Sequence, residues 1–158
     1  MKKLLLRAFA LIAAVLPLSV AQAAPKPPAV FGDFTPGKTF TFTVDIAQTT
    51  TTVGFGGNTT TSPTAPAGVP NLVAGQQVTF TIGKKGELIG PGFKIGFFRG
   101  DVGANAYINK PKKGAQPTVA AIRKNFETNE PEFVEITFYT FKLSKRVPTV
   151  TTTTYVLQ

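Results

Sequence analysis

The chain has 158 residues, with 17 Lys plus Arg against 8 Asp plus Glu, a net charge of +9, and neither His nor Cys. Without imidazole or thiol there is no His-based acid–base catalysis, no thiolate nucleophile, no disulfide and no soft-metal centre. The length suits one domain whose stability must come from an apolar core.

Lys2, Lys3 and Arg7 precede an apolar run from Ala8 to Val20, closed by Ala21-Gln22-Ala23. A charged start, a short apolar stretch and a small-x-small site predict a secretory signal peptide over 1–23. The cut is expected before Ala24, because Pro25 obstructs the next bond. The apolar run is too short for a spanning helix, and Pro17 weakens a helix there. The short dibasic start is bacterial in character. The expected location is therefore periplasmic or extracellular, with no integral membrane segment after cleavage. Loss of Lys2, Lys3 and Arg7 lowers the basic count from 17 to 14 and leaves +6.

Residues 24–35 begin Ala-Pro-Lys-Pro-Pro-Ala-Val and predict an extended, Pro-rich leader. A single β domain is expected over 36–158. In Thr39 to Ile46, Phe40, Phe42, Val44 and Ile46 alternate with Thr39, Thr41, Thr43 and Asp45, the period of a strand with one buried face. The pattern returns at an offset of 38 residues, Gly37-Lys38-Thr39-Phe40 aligning with Gly75-Gln76-Gln77-Val78. The copies fit equivalent strands in two halves of a sandwich, or simple convergence on good strand chemistry. Between them, the Thr/Gly/Pro-rich stretch 49–70 fits either a projecting hairpin turning at Gly54 to Asn58 or a loop.

Further strands are expected at Phe93 to Phe98, Ala104 to Asn109, Phe133 to Leu143 and Val147 to Leu157, separated by Gly and Pro turn signals. Val119, Ile122 and Phe126 sit at helical spacing, and Ala120, Ala121, Arg123 and Lys124 favour helix, so a short helix is expected at 118–126. The alternative there is a hairpin arm turning at Asn129 to Pro131. The fold class is all-β: an antiparallel β-sandwich, immunoglobulin-like or jelly-roll-like, or a small barrel.

Several motifs match in letters but not in context. Gly32 to Thr39 fits G-x-x-x-x-G-K-T, yet a phosphate-binding loop must open a helix, and here it leads into a strand. No nucleotide is expected. Arg99-Gly100-Asp101 falls in an expected turn, where charged residues around a glycine suit solvent. Asn58-Thr59-Thr60 is a glycosylation sequon. Thr-x-Thr pairs at 39–43, 79–81 and 149–151 read as outward-facing strand residues, and no sustained short repeat builds the flat array that an ice or crystal surface would need.

Catalytic chemistry is left to Ser62, Ser144 and eight carboxylates. Ser144 adjoins Lys145, but strand neighbours point to opposite faces. Glu127, Glu130, Glu132 and Glu135 cluster around Pro131 and read as a solvated turn, at most a weak Ca²⁺ site. No catalytic residue, cofactor or metal is expected. The +6 lies entirely in residues 76–158, which hold 12 basic and 6 acidic residues. Such a surface attracts polyanions, acidic polysaccharide or lipid headgroups, with Lys110, Lys112, Lys113, Arg123 and Lys124 as candidate contacts. The sequence thus predicts an exported, non-enzymatic binding or structural accessory protein. The alternatives are a small outer-membrane β-barrel and a carboxylate-dependent hydrolase.

Overall fold

The computed structural model describes residues 30–32, 34–101, 103–109, 117–128 and 130–158. The expected signal peptide, most of the expected leader, and Lys110, Lys112 and Lys113 lie outside the described residues. Ten antiparallel strands occur among the described residues: β1 (Thr39–Val53), β2 (Thr59–Ser62), β3 (Gln77–Ile82), β4 (Leu88–Gly90), β5 (Phe93–Ile95), β6 (Phe97–Asp101), β7 (Ala104–Asn109), β8 (Thr118–Lys124), β9 (Pro131–Ser144) and β10 (Val147–Leu157). The all-β antiparallel class expected from the sequence is the observed one.

The strands form one sheet in the order β5-β4-β3-β1-β10-β9-β8-β7-β6, with β2 added on β1. The two ends of this path are consecutive in the chain, joined through Gly96. The Ile108 N–H donates to the Gly96 carbonyl at 2.9 Å, and Asn109 Nδ2 donates to the Lys94 carbonyl at 2.9 Å. The sheet therefore curls nearly into a barrel, which leaves little open edge. The single strand expected at Phe93 to Phe98 is instead broken at Gly96, its first part pairing with β4 and its second with β7.

The two similar segments around Gly37 and Gly75 are direct neighbours, with Phe40 opposite Phe80 and Phe42 opposite Val78. They are related by a local two-fold. The Gly37 N–H donates to the Ile82 carbonyl and the Gly75 N–H to the Val44 carbonyl, both at 2.8 Å. Each glycine takes a positive φ, 87° and 81°, to turn into its strand, a conformation that disfavours side chains with Cβ. The repeat is thus a self-complementary pair within one sheet.

Alternation decides what is buried. Phe42, Val44, Val78, Phe80 and Ile82 lie in the core, while Thr41, Thr43 and Thr79 face outward. Phe40 is half-buried against the same core. Ile46 departs from the expected alternation and is 45% exposed. Val44 opposes Leu157 and Ile46 opposes Val156, so Asp45 is an extra residue in β1. This bulge reverses the faces for the rest of the strand and turns Thr49 inward.

The helix expected at 118–126 is absent; β8 occupies 118–124. Ala120 pairs with Tyr107 on one side and Ile136 on the other. Ala120 and Ile122 point inward, whereas Arg123 is exposed. Ladder bonds on both edges outweigh the mild helix preference of Ala, Arg and Lys. The expected extended leader also ends early. Phe31 and Phe34 form an isolated bridge, Phe34 is buried, and the Phe31 ring meets Phe97 edge-on at 5.4 Å. These rings close the end of the barrel where β1 begins.

Candidate functional site

Inward-facing side chains fill the barrel. Phe80, Ile82, Leu88, Ile95, Tyr107, Ile122, Val134, Ile136, Tyr155 and Leu157 are essentially inaccessible to solvent. The polar ends of both tyrosines have partners. Tyr107 Oη receives Asn105 Nδ2 at 3.3 Å, and burial pushes its phenol up to about 12. Tyr155 Oη donates to the Pro70 carbonyl and receives the Leu72 N–H, and burial raises its phenol too. Through Tyr155, the segment that follows β2 is tied across the barrel, with Leu72 buried. Among the described residues, the buried polar side chains other than the tyrosines are Thr49, Asn105, Thr137 and Thr153, and no Asp, Glu, Lys or Arg is among them.

Among the described residues the carboxylates do not converge. Glu130 holds Lys38 at 2.8 Å, Glu132 and Glu135 are both exposed on β9, and Asp45 accepts from Gln158 Nε2 at 3.1 Å. Glu87 caps the turn between β3 and β4. The Lys85 N–H at 2.9 Å, the Glu87 N–H and nearby Lys94 hold its carboxyl below the ordinary value. Among the described residues no group of three potential metal ligands forms, and no helix is long and apolar enough to cross a membrane. The Ser62 hydroxyl accepts the Thr64 N–H, as in a local turn, and Ser144 ends β9.

The sequence motifs are spread through the framework. Thr39 opens β1, and Lys38 is engaged with Glu130 rather than facing a helix N-terminus. Gly32 and Gly100 pack backbone to backbone: a Cβ on Gly100 would lie 2.4 Å from the Gly32 Cα. Arg99-Gly100-Asp101, expected in a turn, lies within β6 and pairs with Ala104, Asn105 and Ala106. Threonines bond one another across strands, Thr49 to Thr153 at 3.0 Å, Thr51 to Thr151 at 3.1 Å and Thr41 to Thr79 at 2.8 Å. They stitch the sheet by cross-strand pairing. Of the candidate basic contacts, Arg123 lies over the Phe133 ring at 5.2 Å. The Lys124 N–H donates to the Gly103 carbonyl at 3.0 Å, beside Arg123 at the C-terminal end of β8.

A different basic group emerges at the other end of the molecule. Beyond Phe138, β9 and β10 continue as a hairpin, joined by β1 and β2 into a four-stranded arm. The stretch 49–70 is thus a hairpin over its first part. Pairing with β8 stops at Phe138, because the residue before Thr118 is Pro117, which has no N–H to donate. The two hairpin turns sit side by side, the Gly54 N–H donating to the Pro148 carbonyl at 2.8 Å. Phe55 at the first turn is 95% exposed, and Leu143 beside the second is 64% exposed. Val53, Phe141, Val147 and Val150 are exposed around them. Lys142, Lys145 and Arg146 supply positive charge, and residues 49–62 and 139–153 contain no Asp or Glu.

The second turn is unusual in its residues. Ser144 pairs with Val147, so Lys145 and Arg146 form a two-residue loop, with φ of 48° and 67°. Two positive φ values define the type I′ turn, which favours Asn-Gly. Lys and Arg there cost roughly 1–2 kcal/mol each in local conformational energy. Among the described residues neither Lys145 nor Arg146 forms an ion pair that would offset this cost. Sequence reading passed over this group because it weighed charge in linear blocks, and the tip joins two distant hairpins. The signal that was available is the acid-free run Tyr139 to Thr153 with three cations interleaved among exposed apolar residues. Compared with known proteins, the chain matches no family model, no curated protein and no solved structure.

Proposed function

We propose that this is an exported, non-enzymatic β-domain that serves as a binding or structural accessory protein of the bacterial envelope or extracellular space, contacting anionic surfaces. The observation that carries this reading is the distribution of chemistry between inside and outside. The interior is filled with apolar side chains, and the accessible chemistry lies on the exterior, most densely at the acid-free cationic arm. Charge of one sign on such a projection attracts and orients a polyanion. Two groups are candidates for that contact: Lys110, Lys112, Lys113, Arg123 and Lys124, and the arm residues Lys142, Lys145 and Arg146. The arm is favoured by its uninterrupted sign and its exposure.

The same distribution weighs against an outer-membrane barrel. Its outward positions would have to face lipid, yet they include Gln77, Thr79, Lys94, Arg123 and Glu135. A lipid-facing Arg or Lys costs about 2–4 kcal/mol at the bilayer midplane. A carboxylate hydrolase is disfavoured because no two acids face each other across a cleft among the described residues. Fractionation of producing cells tests the proposal. The protein should leave the membrane fraction on a high-salt wash or be free in the exported fraction. Retention through the salt wash with release only by detergent would favour the barrel.

A further inference from the structure

Resting on that reading, we infer that the anionic surface is a lipid headgroup layer, and that the paired tips of the β1–β2 and β9–β10 hairpins dock on it. A soluble polyanion needs only charge. This tip combines charge with apolar side chains that have no partner: Phe55, at 95% exposure on a turn of glycines, and Leu143, at 64%, on the adjacent tip. The hydrogen bond from the Gly54 N–H to the Pro148 carbonyl keeps the two tips level. Lys142, Lys145 and Arg146 surround them, and residues 49–62 and 139–153 of the two hairpins hold no carboxylate. A side chain such as Phe55 gains from entering the acyl boundary, while cations at the same height remain among headgroups. The positive φ values at Lys145 and Arg146 fit this role, because stability is given up to hold two cations at the tip.

The test uses the exported protein with vesicles of phosphatidylcholine, alone or mixed with phosphatidylglycerol, and with dextran sulfate as a soluble polyanion. The wild type should bind the anionic vesicles and not the zwitterionic ones. Phe55→Ser with Leu143→Ser should weaken vesicle binding roughly tenfold or more and leave dextran sulfate binding unchanged. Lys145→Asn with Arg146→Gly should raise the melting temperature, by relieving the turn, and weaken vesicle binding about thirtyfold. That gain in stability excludes misfolding as the cause. Dextran sulfate binding without vesicle binding would overturn the lipid assignment and leave the proposed function standing. Vesicle binding indifferent to Phe55 and Leu143 would overturn docking through the tips. Binding to neither probe would overturn both.

Discussion

Phe80 is completely buried, while Thr79, one residue earlier, faces solvent and shares a 2.8 Å hydrogen bond with Thr41. Phe80→Ala should cost about 3–5 kcal/mol in chemical unfolding, and Thr79→Ala roughly 0.5 kcal/mol. Equal losses would mean that the inward and outward faces of β3 are misassigned. Glu87 gives a pH-dependent counterpart. Its carboxyl is lowered in the folded state by the Lys85 N–H, its own N–H and Lys94, so it stabilises the fold while ionised. That contribution is complete above the ordinary carboxylate value and disappears as pH falls through the lowered folded value. Glu87→Gln should therefore be destabilising at neutral pH, with the gap to wild type closing under acid in parallel melts. A constant gap across pH would remove the charge from the explanation. The Phe/Thr alternation made Phe80 and its neighbours legible in the sequence. Glu87 was not, since its role depends on a turn whose shape only the folded hairpin supplies.

At the scale of elements, β8 separates what pattern can and cannot reveal. Val119, Ile122 and Phe126 fit a helix, but Ala120 and Ile122 also fit the inward positions of a strand, and the helix preference of alanine is too mild to decide over seven residues. The ladders to β7 and β9 decide it. Ala120→Glu should abolish folding or cost several kcal/mol, because it drives a charge into the core. Ala121→Glu, one step away on the outer wall, should change stability by less than about 1 kcal/mol. A helix over 118–126 would place both residues away from its apolar stripe and make the two variants alike. The bulge at Asp45 was equally hidden. One inserted residue reverses Ile46 and everything after it, yet it leaves no mark in composition. The strand at Ala104–Asn109 was readable to its ends because Gly103 and Lys110-Pro111 bracket it in the sequence, and Val147–Leu157 was readable from its run of Thr and Val. The repeat around Gly37 and Gly75 was visible too. Its meaning was not, because self-pairing and duplication between sheets write the same letters.

For the molecule as a whole, one continuous sheet separates a packed interior from a polar and charged exterior, and the extended β9–β10 hairpin carries that exterior beyond the barrel. The absence of His and Cys already removed most catalytic chemistries, and the overall positive charge pointed to polyanions. The location of that charge could not be read from the linear chain, because folding sends Arg123 and Lys124 to one end of β8 and gathers Lys142, Lys145 and Arg146 at the arm. Retention on immobilised dextran sulfate over a salt gradient tests the central claim directly. Wild-type protein should be held at low ionic strength and released as screening shortens to roughly 8–10 Å near physiological salt. Lys142→Glu with Lys145→Glu and Arg146→Glu should pass through unretained, while Arg123→Glu with Lys124→Glu should still be held. Failure of the wild type to bind at low salt, or undiminished binding by the triple arm variant, would contradict the account.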